Sequence, residues 1–107
     1  MKVLLLDVET APNKGYIWSL WKEVMNFSFI ENNWFIMCFT AKWLDSKEVI
    51  TSSLADFKDY KKNPECDKNV MLKLHKLMEE ADVIVAHNAV KFDRRKINTR
   101  FLFNNIN

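Results

Sequence analysis

The feature that most constrains this fold lies at the start of the chain, where an apolar run at residues 3–6 leads directly into Asp7, Val8 and Glu9. Such a run predicts a buried β-strand with two carboxylates at its exit. Strand side chains alternate between faces, so Asp7 and Glu9 share one face while Val8 points into the protein. Neighbouring carboxylates repel each other, and a hard divalent cation such as Mg²⁺ or Mn²⁺ relieves that repulsion. The stretch therefore predicts a metal site, with a strand that simply ends in an acidic turn as the alternative.

Length and composition indicate a single domain. The chain has 107 residues, of which 49% are hydrophobic and 13% aromatic, enough to build one core. The net charge of +2 does not by itself indicate a nucleic-acid-binding protein, so the placement of the charges matters more. Cys38 and Cys66 lack the close spacing of a zinc or redox motif, which favours free thiols in a reducing compartment. With no signal-peptide pattern and no apolar run of membrane-spanning length, we expect a soluble, cytoplasmic protein.

The middle of the chain predicts a lid and a hairpin. A break at Gly15, the only glycine, precedes a weakly helical segment at residues 16–29, which we expect to form a short helix or an ordered lid. Residues 34–44 are almost continuously apolar and predict a central strand buried on both faces. A shorter strand at residues 48–52 should pair with it as an antiparallel hairpin.

The second half predicts a helix, a strand and a helix. Asp67 is placed as the N-cap of the first helix. The apolar stripe of that helix consists of Val70, Met71, Leu74, Leu77, Met78 and Ala81. Residues 83–86 predict a short parallel strand covered by helices on both faces, and residues 92–103 a second helix. The predicted fold class is α/β: a mixed sheet with helices packed on it.

Polar side chains follow the first and the last predicted strands. Asp7 and Glu9 leave the first strand, and His87, Asn88 and Asp93 leave the last. Ligand sites in open α/β sheets lie at the carboxyl ends of strands. If these two strands are parallel neighbours, all five side chains meet at one edge of the sheet.

The segments DVET at residues 7–10 and NAVKFD at residues 88–93 resemble two motifs of the DEDD superfamily of 3′–5′ exonucleases, which have a ribonuclease H-like fold. The first matches the opening Asp-x-Glu motif and the second the middle Asn-x-x-x-Phe-Asp motif. The flanks at residues 86–88 and 96–102 are similar to phage and bacterial polymerase-associated members. The resemblance spans nearly the whole chain, and it implies a bacterial or phage-infected host cytoplasm. It also implies a mixed sheet with flanking helices, in which strands one to three are antiparallel and strand four runs parallel to strand one.

The resemblance implies a role for each acid. Asp7 would be a ligand shared by two Mg²⁺ or Mn²⁺ ions, Glu9 a ligand of one, and Asp93 a contributor through the second. Two such ions, about 4 Å apart, stabilise both the attacking water and the leaving 3′ oxygen of an in-line phosphodiester displacement.

The resemblance also implies contacts with the end of a nucleic-acid strand. Asn88 and Phe92 would shape the site for the terminal nucleotide, by hydrogen bonding and by packing or stacking, and Thr10 would contact the last sugar. A phosphate backbone would pass over the basic residues of the second helix, namely Arg94, Arg95, Lys96 and Arg100. A charge run of this kind is otherwise an ordinary solvated face.

The third motif of the family, Tyr-x-x-x-Asp or His-x-x-x-x-Asp, does not occur in this sequence, because Asp93 is the final acidic residue and both histidines precede it. We therefore expect an N-terminal, incomplete exonuclease domain that lacks the last strand and helix of the fold. Metal binding should be weak, with little or no hydrolysis by the isolated chain. A second polypeptide, or self-association, should occupy the sheet edge beside residues 83–86.

Several alternatives stay open on the sequence alone. Asp93, just before a helix, fits an N-cap as well as a metal ligand. Trp34 and Trp43 lie in a buried strand pattern and are expected in the core, whereas Trp18 and Trp21 could stack on bases. The first functional hypothesis is a two-metal-dependent 3′–5′ exonuclease, with single-stranded DNA expected over RNA. The second is a catalytically incomplete nucleic-acid-binding or replication-protein interaction module.

Overall fold

The fold was analysed in a computed structural model that describes residues 1–20 and 26–107. These residues form a small α/β fold with a four-stranded mixed sheet, a two-stranded sheet and two α-helices. No helix in the described residues has the length and apolar character needed to cross a bilayer.

The main sheet has the predicted strand directions. Its strands are β1 (Val3–Thr10), β4 (Ile36–Trp43), β5 (Ile50–Ser53) and β6 (Val83–Val85), in the order β5-β4-β1-β6. β1 is antiparallel to β4, and β4 is antiparallel to β5. β6 is parallel to β1, with Leu4 opposite Ile84. The predicted mixed sheet is thus confirmed, and β1 and β6 are parallel neighbours as the site hypothesis requires.

The two long helices also lie where the apolar periodicity predicts them. They are α1 (Lys68–Glu80) and α2 (Arg94–Phe103), and a π-helical turn at Ala89–Asp93 leads into α2. The connector after β5 contains short 3-10 helices at Leu54–Asp56 and Lys58–Lys61. After the end of α2 at Phe103, Asn105 adopts a left-handed conformation (φ 58°). The next residue, Ile106, is buried in the core.

One face of the main sheet packs against both helices. The buried core consists of Leu4, Leu6, Val8, Ile36, Phe39, Ala41, Leu54, Val70, Met71, Leu74, Ile97 and Ile106. The remaining members of the predicted α1 stripe, Leu77, Met78 and Ala81, are partly buried against it. Trp34 and Trp43 are half-buried and also pack on the core.

The prediction that β4 and β6 are buried on both faces is wrong for the described residues. Met37 and Thr40 of β4 are exposed, and Val83 and Val85 of β6 are 41% and 48% exposed. The reason is that α1 and α2 lie on the same face, so the opposite face of the sheet meets solvent within the described ranges. Apolar content alone did not distinguish a strand covered once from a strand covered twice.

A β-bulge interrupts the pairing of β1 with β4. Glu9 lies opposite Cys38 and Thr10 opposite Ile36, so Met37 is an extra residue between the two pairs. The bulge places both Ile36 and Phe39 on the core face, although they are three residues apart. It lies beside Glu9, at the end of β1 that carries the acids.

The predicted helix or lid at residues 16–29 has a different structure where it is described. Residues 16–20 are not helical, and Phe27–Phe29 form one 3-10 turn. The flanking strands β2 (Lys14–Gly15) and β3 (Ile30–Asn32) pair as a small antiparallel sheet. Four apolar residues at helical spacing suggested the helix. Two of them, Ile17 and Leu20, are exposed. The other two, Trp21 and Val24, lie outside the described residues.

Asp67 precedes α1 as predicted, but its carboxylate has another role. It is fully buried and accepts hydrogen bonds from the Ile36 backbone N–H (2.9 Å), from Nδ2 of Asn104 (2.8 Å) and from Arg100. Arg100 is buried too, so its predicted place on a solvated basic face is wrong. This pair fixes α2 against the start of β4, and thereby fixes the orientation of the turn that carries Asp93.

Candidate functional site

Asp7 and Glu9 project from the end of β1 on the open face of the sheet. Both are exposed, whereas Val8 between them is 2% exposed and belongs to the core. By strand register they lie opposite Thr40 and Cys38. The predicted alternation of this stretch is confirmed, and the two carboxylates share a face.

Asp93 lies in a different environment, because it is buried with 5% of its surface exposed. It holds the N-cap position of α2, yet its side chain makes no capping hydrogen bond with a described residue. Its carboxylate instead accepts a hydrogen bond from the backbone N–H of Val8 in β1. The second oxygen, Oδ2, is buried without a hydrogen-bond partner among the described residues. These observations contradict the alternative in which Asp93 is merely an N-cap.

The pKa of Asp93 is influenced by charges at the ends of both strands. Burial raises the pKa of the Asp93 carboxyl, and the negative charge of Asp7 raises it further. The hydrogen bonds from the backbone N–H groups of Asp93 and Val8, and the charge of His87, oppose this rise without cancelling it. Asp7 and His87 therefore act on Asp93 electrostatically, without forming a three-residue ligand group within the described residues.

Cys38 was not predicted to be part of this site. Burial raises the pKa of its thiol, and the negative charges of Glu9 and then Asp7 raise it further. Both cysteines are free, as predicted. The antiparallel pairing of the first two long strands was predicted, but the register that puts Cys38 opposite Glu9 was not; it is the regular register from Leu4 onward, and the bulge at Met37 follows it.

The three acids fit a cation site in part. Within residues 1–20 and 26–107, no three side chains of His, Cys, Asp or Glu are grouped closely enough to hold a metal ion. The unpartnered Oδ2 of Asp93 is the type of hard oxygen ligand that Mg²⁺ or Mn²⁺ uses. Asp7 and Glu9 are exposed and have the freedom to turn. They would have to turn toward Asp93 before all three acids could share an ion.

The residues predicted to contact substrate lie around these acids. Thr10 is half-buried at the end of β1. Asn88 is exposed and starts the π-helical turn, where its carbonyl accepts a hydrogen bond from the Phe92 N–H (2.9 Å). Phe92 is half-buried and packs on the core. Arg94 and Arg95 are exposed, and neither forms an ion pair with an acidic residue in the described ranges.

An open cavity of about 330 Å³ lies between the end of β6 and α2. Its wall is mostly apolar, with Leu6, Ile84 and Ile97 among its residues, and Asp93 and Arg94 also line it. Asp93 is thus the buried acid of a pocket that opens to solvent.

A cluster of aromatic and cationic side chains flanks the acids. Nζ of Lys96 lies 3.9 Å from the centroid of the Trp34 ring and 5.8 Å from that of Phe92. Trp34 was predicted only as a core residue and Lys96 only as one of a basic run. Their contact joins residues 62 positions apart in the sequence, and neither pattern indicated it.

Comparisons of the chain with protein-family models, with curated proteins and with solved structures found no match.

Proposed function

We propose that this chain is a metal-dependent 3′–5′ exonuclease domain of the DEDD type, acting on the 3′ ends of single-stranded DNA. The observation that carries the proposal is the buried Asp93 carboxylate, which has an unpartnered oxygen and lies within electrostatic range of Asp7. Of the two motifs that resemble the family, the first begins with Asp7 and the second ends with Asp93.

A buried carboxylate beside another carboxylate is costly unless something neutralises it. The Val8 N–H compensates one part of the Asp93 charge, and Oδ2 is left without a described partner. A divalent cation held by Asp93, Asp7 and Glu9 would neutralise these charges and remove their mutual repulsion, which would favour binding of the ion. Mg²⁺ or Mn²⁺ there supplies positive charge for a scissile phosphate and for the water that attacks it.

The remaining residues position a strand end. Arg94 and Arg95, with the exposed Lys91 before them, present positive charge next to the acids, where a phosphate backbone would be attracted. Asn88 is exposed on the turn that leads to Asp93, so its amide is free to reach a terminal nucleotide.

The topology of the main sheet supports a ribonuclease H-like fold as part of the same proposal. The order β5-β4-β1-β6, with three antiparallel strands and β6 parallel to β1, is the arrangement that the resemblance implies. The acids lie at the carboxyl end of β1, and Asp93 follows β6.

We propose further that a partner polypeptide pairs with the outer edge of β6 and carries the third acidic motif of the family. The outer edge of β6 has no neighbouring strand in the described residues, and Val83 and Val85 expose apolar surface there. An unpaired apolar edge of this kind pairs readily with another strand.

The test is hydrolysis of 3′-labelled single-stranded DNA, and of RNA of the same sequence, in Mg²⁺ or Mn²⁺. Each assay is run with and without a partner polypeptide that carries the third acidic motif. Asp7→Ala should abolish cleavage. Asp45→Ala should not, because Asp45 is an exposed carboxylate near Lys2, at the other end of β1. Cleavage that Asp7→Ala leaves unchanged would contradict the proposed site.

A nucleic-acid-binding or replication-protein interaction module without catalysis is the second candidate. The observation that favours it is that no three acids are grouped closely enough in the described residues to hold an ion as they stand. Oligonucleotide binding without cleavage, with or without the partner, would support this second function and contradict the first.

A further inference from the structure

Trp34, Phe92 and Lys96 form a cluster that we call the Trp34 platform. The ammonium of Lys96 lies over the indole at 3.9 Å from its centroid, within the range of a cation–π contact. The same ammonium is 5.8 Å from the Phe92 ring. One cation therefore bridges two aromatic side chains that are 58 positions apart in the sequence.

The position of Trp34 is fixed by its backbone. Its N–H donates to Oδ1 of Asn13 (2.8 Å), and its carbonyl accepts from Nη1 of Arg100 (3.3 Å). The Arg100 guanidinium also lies 5.8 Å from the indole centroid, and Asp67 holds that guanidinium in place. The indole is consequently anchored on the protein side, and Lys96 lies over its face.

The Trp34 platform lies at the same end of the sheet as the acids. Trp34 is two residues before Ile36, which pairs with Thr10 at the end of β1. Phe92 immediately precedes Asp93, and Lys96 is three residues after it, about one helical turn along α2. A strand end bound at Asp93 would therefore lie close to Lys96, whereas Asp7 and Glu9 project from the other face of the sheet.

Aromatic faces and cations at this position match the chemistry of single-stranded nucleic acid. Unpaired bases stack on aromatic side chains, and lysines contact the phosphate backbone. In a duplex the faces of the bases are already stacked on their neighbours. The platform thus favours a single strand, and the exposed Lys91, Arg94 and Arg95 extend its positive charge.

We propose that the Trp34 platform binds a single-stranded segment of nucleic acid next to the acidic site, a proposal that rests on the nuclease function above and names how its substrate is held. A base stacks on the indole, and the Lys96 ammonium moves from the ring to the adjoining phosphate. The Trp34 ring and the Lys96 charge act together as one binding subsite.

The chain contains a matched control for this subsite. Nζ of Lys2 lies 5.7 Å from the centroid of Trp43, a second cation–π pair of the same composition. Trp43 pairs with Leu4, so this pair lies toward the other end of β1 from Glu9 and Thr10. Loss of the Lys2–Trp43 pair should leave nucleic-acid binding unchanged.

The experiment measures the binding of fluorescein-labelled thymidine and uridine oligonucleotides, and of a blunt DNA duplex, with Ca²⁺ as the divalent ion to slow hydrolysis. Trp34→Leu should raise the Kd for the single strands about tenfold or more, the usual scale for loss of one stacked base. Lys96→Gln should weaken binding and lower the slope of log Kd against log salt concentration by roughly one. Trp43→Leu and Lys2→Gln should change neither, and the duplex should bind more weakly throughout.

Thermal unfolding of each variant identifies any loss of folding. If Trp34→Leu does not fold, Lys96→Gln still tests the subsite, because Lys96 is on a helix surface and only partly buried. Equal affinities of Lys96→Gln and wild type, or equal losses in the Trp34 and Trp43 variants, would overturn the proposal. Failure of the nuclease function gives a different result, in which cleavage does not depend on Asp7 while the Lys96 effect on binding persists.

Discussion

Arg100 donates two hydrogen bonds to the Asp67 carboxylate, from Nε at 2.6 Å and Nη2 at 2.9 Å, and both side chains are buried. The pair joins the residue before α1 to the last turn of α2, 33 positions later. Because Asp67 also accepts the Ile36 N–H, it connects both helices to β4. The orientation of α2, and with it the position of Asp93, depends on this contact.

Removal of one partner of the Asp67–Arg100 pair should strongly destabilise the fold, since the other charge would be left buried without compensation. We expect Arg100→Met or Asp67→Ala to lower the free energy of unfolding by about 3–5 kcal/mol. Urea unfolding followed by circular dichroism measures this loss. The control is Glu80→Ala, which removes the surface pair with Lys2 (3.9 Å) and should cost less than about 1 kcal/mol. Equal losses in the two cases would contradict a structural role for the buried pair.

Asp93→Asn should stabilise the chain at neutral pH when divalent cations are removed by a chelator. The pKa of Asp93 is raised from its ordinary value of 3.8, so the folded state favours the protonated carboxyl. The stability from this preference is complete below pH 3.8 and is lost as pH rises through the folded-state pKa. At pH 7 the ionised carboxylate therefore opposes folding, and the neutral amide should raise the unfolding temperature.

The advantage of Asp93→Asn should shrink as the pH falls toward 3.8. Thermal unfolding across this pH range measures it, with the exposed Asp45→Asn as the matched control that should show no such trend. A lower unfolding temperature for Asp93→Asn at neutral pH would show that the Asp93 carboxylate stabilises the fold through the Val8 hydrogen bond more than its charge opposes folding.

Arg94→Ala and Arg95→Ala should each weaken oligonucleotide binding uniformly across sequences and lower the salt dependence by about one ion per lost phosphate contact. Both residues are exposed beside Asp93, so the substitutions should leave stability nearly unchanged. Lys58→Ala, in the exposed connector after β5, is the control and should have no effect on binding. If the salt dependence of oligonucleotide binding is unchanged in both variants, Arg94 and Arg95 belong to an ordinary solvated surface.

Local patterns predicted the elements of this fold well. The alternation in β1, the apolar stripe of α1 and the β4–β5 hairpin follow from residues close together in the sequence, whereas the directions of β4 and β6 relative to β1 were implied by the resemblance. The sequence did not predict that helices pack on only one face of the sheet, because the residues of an apolar strand are similar whether one or both faces are packed. Met37 illustrates this limit, since it lies in the most apolar segment of the chain and is nevertheless exposed.

The parts of the candidate site that depend on long-range contacts were not predicted. Asp67 has the sequence position of an N-cap, and only the approach of Arg100 and Asn104 makes it a buried anion site. Lys96 belongs to a basic run, and only the tertiary fold sets it on Trp34. The acids were identified by motif, whereas the burial of Asp93 and its unpartnered oxygen required the packing of α2 against β1.

We propose that Asp7, Glu9 and Asp93 share a divalent cation. A titration of ¹⁵N-labelled protein with substoichiometric Mn²⁺ tests this proposal, because the bound ion broadens the amide resonances of nearby residues. Residues 7–10 and 88–94 should broaden first, and Asp7→Asn should remove the effect while Asp45→Asn should not. Broadening centred on other acidic residues, or broadening at residues 7–10 that persists in Asp7→Asn, would contradict it.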